Sequence, residues 1–277
     1  MNWNVNPEII RIGSFGLRWY SLLFVGGFII GYFIMRWFFR REGVSEQLLD
    51  PLLYSMLIAT IIGARLGHCL FYQPDYYLGS WEGFKEIFMP WKGGLASHGG
   101  VIGIVVAVLW YGHRYGPANG IDWLWTGDRI GILALIAGAM IRLGNLMNSE
   151  IYGDVTNLPW GFVFLRNGET LPKHPTQIYE ALGYLTFGLS LLALYKYKLD
   201  KLYRGVFAGL FFILCFGFRF LIEFIKEPQV EFEKSMALDM GQLLSIPLVL
   251  VGVCFIVYAC RKKTPARAVR PDYRKRN

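Results

Sequence analysis

The chain has 277 residues, of which 54% are hydrophobic and 17% aromatic, and a net charge of +8. Its apolar residues come in long blocks rather than at amphipathic spacing, which excludes an ordinary water-soluble globular domain and indicates a membrane protein. The excess positive charge lies mostly in the tail "RKKTPARAVRPDYRKRN", without the aromatic or helical pattern that accompanies nucleic-acid recognition. We therefore expect no nucleic-acid partner.

Seven apolar blocks reach or approach the roughly 20 residues that cross about 30 Å of hydrocarbon. They predict an all-α integral membrane protein with about seven transmembrane helices. The first block lacks a basic n-region and a small-residue cleavage site, so it is expected to be a retained span. The blocks are Ser21–Phe39, Leu48–Tyr72, Leu95–Trp110, Ile121–Ile141, Gln177–Tyr195, Gly205–Ile225 and Gly241–Cys260.

Basic residues predict the orientation, because short cytoplasmic loops retain Lys and Arg. More than half of the 28 Lys and Arg fall on one side of the predicted spans, which places the N-terminus outside and the C-terminus inside. This basic side comprises Arg36, Arg40, Arg41, Arg114, Lys196, Lys198, Lys201, Arg204 and the tail from Arg261 to Arg276.

The chain is predicted to form a single polytopic membrane domain over residues 1–277. External loops span about residues 73–94 and 145–175, and the basic cytoplasmic tail, 261–277, is expected to contact anionic lipid. The cysteines lie in apolar segments without metal-ligand spacing, and no zinc or calcium pattern occurs elsewhere. No metal or cofactor is therefore expected.

Three arginines lie within or at the outer end of predicted spans, where an ionisable group costs about 2.5 to 3.5 kcal/mol and by default suggests function. At 1.5 Å per residue from the inner end of each span, Arg65 lies about 26 Å up, Arg142 about 32 Å and Arg219 about 21 Å. Guanidinium groups bind phosphate oxygens in bidentate fashion, so an anionic lipid headgroup suits this level. Alternatively, each arginine pairs with a carboxylate and fastens helices, as the i, i+4 spacing of Arg219 and Glu223 allows.

The segment "GGLASHGGVIG" places His98 between glycines that allow close approach of backbone or substrate. A histidine can remove a proton near neutral pH, which makes His98 a candidate base. A lone histidine is more often a hydrogen-bonded structural residue, and both interpretations stay open. Arg129, lower in its span and next to Asp128, is interpreted as structural.

The segment "IRLGNLMNSEIYG" resembles the signature of the bacterial prolipoprotein diacylglyceryl transferases, a Gly-Arg pair, Gly-Asn-Phe, Asn-x-Glu and a closing Gly. It is matched at Arg142, Gly144, Asn145, Asn148, Glu150 and Gly153. Further resemblance follows in the same order along nearly the whole chain, in "RWYSLLFVGGFIIGY", "GARLGHCLFY", "SHGGVIGI", "KHPTQIYE", "GFRFLIEFIKEP" and "MGQLLSIP". The sequence departs from the family pattern at Ile141, Leu146 and Ser97. It also departs around Cys215, where some members carry a tyrosine.

The resemblance implies a transferase in the bacterial cytoplasmic (inner) membrane with its active site toward the outer leaflet. It would move the diacylglyceryl group of phosphatidylglycerol to the lipobox cysteine thiol of a lipoprotein precursor, as the first step of lipoprotein maturation. The products are a thioether and glycerol phosphate. Its partners are then phosphatidylglycerol, lipoprotein precursors and membrane lipid.

Within that reaction, His98 is expected to take the thiol proton while Arg142 and Arg219 hold the phosphate as catalytic residues. Asn145 and Asn148 would orient the headgroup, and Glu150 would orient Arg142 or the glycerol hydroxyls. Tyr20, Arg65 and Glu223 are further candidates for substrate binding, with an interfacial anchor as the alternative for Tyr20.

Two other classes of function are compatible with the charges. A transporter or flippase for an anionic lipid would line its pathway with them, although no inverted repeat is evident and the charges are confined to one half of the membrane. A noncatalytic scaffold that binds lipoprotein precursors would form no product.

Overall fold

The computed structural model describes residues 1–13, 15–227 and 237–268, and these residues are mostly helical. Most of the basic tail, which was used above to predict the orientation, lies outside the described residues. The helices are α1 (Trp19–Glu42), α2 (Leu49–Phe71), α3 (Pro74–Gly79), α4 (Trp81–Ile87), α5 (Ser97–Asn119), α6 (Trp123–Met147), α7 (Thr176–Lys198), α8 (Val206–Glu223) and α9 (Met240–Lys262). Short 3₁₀ turns cover Glu46–Leu48, Pro90–Lys92, Leu165–Asn167 and Leu199–Lys201.

Six helices among the described residues are long and apolar enough to cross a membrane, which confirms a multi-pass helical membrane protein. They correspond to α1, α2, α6, α7, α8 and α9. The remaining predicted span falls on α5, which has 23 residues but is not among the six. Its glycines, histidines and Pro117 lower its hydropathy, so a seventh span stays a prediction.

The described residues form two compact units. Among the described residues, unit 1 comprises Met1–Ile34 and Asp128–Arg267, and unit 2 comprises Met35–Gly127 together with Ala268. The prediction of a single domain is not tested by this division.

In unit 2, α2 and α5 pack through glycines. A Cβ on Gly99 of α5 would lie 2.9 Å from the Cα of Gly67 and 3.0 Å from the carbonyl carbon of Gly63, both on α2. Only a residue without a side chain permits so close a backbone approach. Small residues spaced in this way are the usual device of helix pairs in lipid, where no hydrophobic effect drives association.

In unit 1, Gly205 immediately precedes α8 and adopts the left-handed region, at φ 97°. The buried Asp128 carboxylate of α6 accepts hydrogen bonds from the backbone amides of Gly205 and Ala208, each at 2.8 Å. This caps the unsatisfied amides at the start of α8. Arg129 donates to the carbonyl of Ala266 at 2.9 Å, as expected for a structural role.

Two small sheets accompany the helices of unit 1. Strand β1 (Asn2–Trp3) pairs in parallel with β4 (Val163–Phe164), and β2 (Glu8–Ile12) pairs antiparallel with β3 (Phe15–Arg18). The Trp3 indole donates to the carbonyl of Leu146 at 3.0 Å. The N-terminal segment is thereby attached to the end of α6, where the signature lies.

The external segment between α2 and α5 contains α3 and α4. Lys92 donates to the Glu86 carboxylate at 2.6 Å, and this hydrogen bond lowers the pKa of Glu86 below its usual range. Several large apolar side chains of the segment are exposed, including Trp81, Phe88 and Trp91. Such residues are typical of the membrane–water interface.

Candidate active site

The signature begins inside α6 and ends in a strained turn. The helix continues to Met147, beyond the end of the predicted span at Ile141, so Arg142 and Asn145 lie on its last two turns. After it, Ser149 and Ile151 adopt φ values of 56° and 61°. A β-branched residue in the left-handed region is an outlier that persists only where its surroundings impose it.

Hydrogen bonds from neighbouring segments hold this turn in place. Its carbonyls accept side-chain hydrogen bonds from α7 and the segment before it, namely Thr176 to Ile151 at 2.9 Å, Gln177 to Glu150 at 2.7 Å and Asn167 to Ser149 at 2.7 Å. Three side-chain hydrogen bonds therefore fix the backbone carbonyls of this turn.

The predicted polar residues of the signature form one hydrogen-bonded group. Arg142 Nη1 donates to Asn145 Oδ1 at 3.3 Å, and the amides of Asn145 and Asn148 donate to the same oxygen of Glu150 at 2.7 and 3.2 Å. Neutral amides thus lie between the guanidinium of Arg142 and the carboxylate of Glu150.

A line of alternating charges connects Arg142 to Arg219. We name its five residues the charge chain: Arg142, Glu180, Lys226, Glu223 and Arg219. Arg142 Nε lies 3.1 Å from Glu180 Oε2, and Glu180 is fully buried on α7. Lys226 Nζ lies 3.3 Å from Glu180 Oε1 and 3.1 Å from Glu223 Oε2, and Arg219 Nε lies 3.9 Å from that same Glu223 oxygen. The two predicted phosphate ligands are therefore the two ends of one ion-paired network.

Glycines provide the room that this arrangement needs. A Cβ on Gly144 would approach Cδ2 of Tyr20 to 2.8 Å, which places the Tyr20 ring directly against the signature helix. A Cβ on Gly241, at the start of α9, would collide with the Glu223 carboxyl. The motifs "IRLGNLMNSEIYG" and "MGQLLSIP" thus contain glycines for a steric reason.

His98 lies in unit 2, in the first turn of α5, with its side chain exposed. Its ring lies 5.7 Å from the ring centroids of both Phe71 and Tyr72 at the end of α2. The surrounding glycines pack against α2, as described above, so they position this turn. The role of His98 as a base stays a prediction.

Arg65, also in unit 2, is used differently from Arg142 and Arg219. It is 3% exposed, and its guanidinium lies 5.0 Å from the Tyr77 ring. Its nitrogens donate to the backbone carbonyls of Glu86, Ile87, Gly93 and Gly94. These contacts fasten the external segment to α2 and favour the structural alternative, so a substrate contact from Arg65 stays a prediction.

Seven of the predicted site residues thus lie in unit 1, where Arg142, Asn145, Asn148 and Glu150 form one group and Arg219 and Glu223 another. Sequence reasoning assigned no role in the site to Glu180 and Lys226, which link them. Lys226 falls just beyond the predicted span Gly205–Ile225, although it follows Arg219 by seven residues, which is close to two helical turns. Glu180 stands in "KHPTQIYE" at the start of a span, which is the signal that could have identified it.

Known proteins of one family are similar to this chain over nearly its whole length. The family model described as prolipoprotein diacylglyceryl transferase matches residues 7–258. The chain is 43% identical, over 95% of its own length and 97% of the relative's, to phosphatidylglycerol–prolipoprotein diacylglyceryl transferase of Bacteroides fragilis. It is 42% identical to the protein of that name from Tolumonas auensis, with 94% and 98% covered, and 42% to that from Chloroherpeton thalassium, with 94% of each covered.

Proposed function

The chain belongs to the prolipoprotein diacylglyceryl transferase family, and from this premise we propose how its own residues carry out the reaction. It is a transferase that moves the diacylglyceryl group of phosphatidylglycerol to a prolipoprotein. Family membership does not favour the lipid transporter or the noncatalytic scaffold.

The chemistry makes two demands on the site. A cysteine thiol, with a pKa near 8.5, must lose its proton before its sulfur attacks the glyceryl carbon that bears the phosphate. As the thioether forms, the carbon–oxygen bond breaks and the electron pair leaves with glycerol phosphate, whose charge increases. Fixed cations at the phosphate therefore stabilise the transition state more than the ground state.

Arg142 and Arg219 are the proposed phosphate ligands. The observation that carries this proposal is the charge chain, which ends in an arginine on each side and holds both within one unit. Arg219 is paired at the longer distance and its side chain is 34% exposed, so its guanidinium has room to receive an anion. A bidentate contact from each arginine suits the phosphodiester.

The neighbouring polar residues orient the headgroup. Asn145 and Asn148 present amides beside Arg142, and Glu150 fixes both amides through one oxygen. Tyr20 lies against Gly144 and provides an aromatic wall with a hydroxyl. Glu223 belongs to the charge chain, where it holds Arg219.

His98 is the proposed base that takes the thiol proton. Support comes from its exposed imidazole at the start of α5 and from the suitability of histidine for proton transfer near neutral pH. The adjacent rings of Phe71 and Tyr72 limit where it can lie.

The proposed topology has seven spans, with α5 as the seventh, the N-terminus outside and the C-terminus inside. The 23 residues of α5 extend about 35 Å as a helix, enough for the hydrocarbon core. In this topology the signature turn faces the outer leaflet of the bacterial inner membrane. The basic residues at the ends of α1 and α7 support it.

One assay tests the function. Purified protein is incubated with phosphatidylglycerol and a precursor peptide that carries a lipobox cysteine. The mass of the peptide is then measured by mass spectrometry. We expect a mass increase of one diacylglyceryl group on the cysteine, together with free glycerol phosphate. Peptide binding or lipid movement without this product would contradict the assignment.

A further inference from the structure

Lys226 belongs to the charge chain, but neither the sequence pattern nor the chemistry above has assigned it a role. It follows α8 and is 6% exposed. Burial of an ammonium group is costly unless the group is paired. Its Nζ lies within 3.3 Å of two carboxylates, Glu180 and Glu223, which come from different helices.

These two carboxylates are the partners of the two proposed phosphate ligands. Glu180 pairs with Arg142 and Glu223 with Arg219. Without Lys226, each carboxylate of the charge chain would neutralise one arginine, and the chain would carry no net charge. A phosphodiester would then meet a site without excess positive charge.

We propose that Lys226 is a positioning residue. It lies between Glu180 and Glu223 and pairs with both carboxylates, so that Arg142 and Arg219 keep guanidinium donors available to the lipid phosphate. With Lys226 present, the charge chain has three cations and two carboxylates. It therefore carries one excess positive charge, which matches the single negative charge of a phosphodiester. This inference rests on the proposed function.

The backbone of the signature turn fixes Lys226 in this place. Gly153 and Lys226 form an antiparallel bridge, Asp154 N donates to Ile225 O at 3.0 Å and Glu227 N donates to Tyr152 O at 3.3 Å. A Cβ on Gly153 would collide with the carbonyl of Ile225 and lie 2.8 Å from the Cβ of His174. The closing glycine of the signature thus permits the close contact that brings the lysine to the two carboxylates.

Another buried lysine in unit 1 provides a matched control. Lys173 is 5% exposed and also bridges two carboxylates, with Nζ at 3.0 Å from Glu169 and 2.8 Å from Glu227. Neither of these carboxylates pairs with Arg142 or Arg219 among the described residues. Loss of Lys173 therefore reports what a buried lysine contributes to structure alone.

The test uses full-length purified Lys226→Met, Lys226→Arg and Lys173→Met protein in the thioether assay, with kcat and KM for phosphatidylglycerol measured per mole of folded protein. We expect Lys226→Met to raise the KM for phosphatidylglycerol and to lower kcat/KM at least about tenfold, because the field at the phosphate and at its leaving oxygen weakens. Lys226→Arg keeps the charge and should stay within about threefold of wild type. Lys173→Met should keep the wild-type KM for phosphatidylglycerol.

Wild-type kcat/KM in Lys226→Met would overturn the proposal, and so would equal changes of KM in Lys226→Met and Lys173→Met. If Lys226→Met does not fold, Lys226→Arg decides, since a folded Lys226→Arg protein that loses more than tenfold contradicts a role for the charge. Failure of the proposed function is a separate outcome, in which wild-type protein forms no thioether product.

Discussion

At the scale of single residues, the two proposed phosphate ligands differ in how firmly their partners hold them. The Arg142 side chain is 14% exposed and lies 3.1 Å from a fully buried carboxylate, whereas the Arg219 side chain is 34% exposed and lies 3.9 Å from its own. A buried charge that loses its partner costs far more than an exposed one. The two arginines should therefore differ in their effect on stability although both act on the phosphate.

We predict that Arg142→Lys and Arg219→Lys each lower kcat/KM for phosphatidylglycerol at least about tenfold, because lysine cannot donate two parallel hydrogen bonds to phosphate oxygens. Arg142→Lys should also lower the thermal unfolding temperature, whereas Arg219→Lys should leave it almost unchanged. Turnover and thermal unfolding of purified protein check both points. Arg11→Lys, an exposed pair with Glu8, is the control. Full turnover in either variant contradicts bidentate recognition.

His98 allows a prediction with a pH signature. His98→Gln should lower turnover near pH 7 by about 100-fold, since general base catalysis typically contributes that much or more. The deficit should shrink as the pH rises toward about 9, because the substrate thiol then ionises without help. Turnover of purified protein measured between pH 6.5 and 9 checks this, with the exposed His113→Gln on the same helix as control. A deficit that is constant across this range argues against proton removal by His98.

At the scale of elements, the spans were predictable and the ends of some were not. Long apolar blocks predicted α1, α2, α7, α8 and α9 to within a few residues. Helix α6 continues to Met147, six residues past the predicted end, because its polar residues Arg142 and Asn145 recur at helical spacing and interact with one another. An apolar block of sequence ends where polar residues begin, whereas a helix continues as long as its backbone hydrogen bonds are satisfied.

Packing between α2 and α5 yields a prediction at this scale. Gly99→Leu should lower the free energy of unfolding by about 1 to 3 kcal/mol, because its side chain would overlap the backbone of Gly63 and Gly67. Gly217 of α8 has no atom within 4 Å of a built Cβ, so Gly217→Leu should leave stability unchanged or raise it by up to about 1 kcal/mol through helix propensity. Thermal unfolding in detergent measures both. Equal stability of the two variants would contradict the tight contact.

At the scale of the whole molecule, the proposed topology depends on the seventh span and on the orientation. The exposed large apolar residues along α1, α2 and α9 agree with helices that face lipid. Helix α5 has the length of a span but a composition weakened by glycines that its packing on α2 requires. For α5, the length of the helix therefore favours a membrane span whereas its hydropathy does not. The orientation is tested by labelling single cysteines in the membrane.

We predict that a cysteine at Asn4 reacts with a membrane-impermeant thiol reagent in intact spheroplasts, whereas a cysteine at Lys201 reacts only after the membrane is permeabilised. The native cysteines are first replaced. Both positions are exposed in the structure, so their reactivity reports the side of the membrane. Labelling in the opposite order would reverse the proposed topology.

The sequence by itself determined the class of the protein, most of its spans and its family, and it predicted most of the polar residues of the candidate site. These follow from local patterns, since apolar length, signature spacing and charged residues within spans are each readable within one segment. Arg142, Asn145, Asn148 and Glu150 lie within nine residues of one another, and the structure joins them as one hydrogen-bonded group.

Only the tertiary structure decided which carboxylate Arg142 meets and which residue joins that pair to Arg219 and Glu223. Glu180 of α7 meets Arg142 of α6, and Lys226 joins Glu180 to Glu223 of α8, contacts that depend on how three helices pack. Arg65, equivalent to the other arginines by depth alone, instead holds backbone carbonyls of the external segment. The physical reason is that a buried charge pairs with the groups that neighbouring elements bring close to it. The sequence of a single segment does not specify which groups these are.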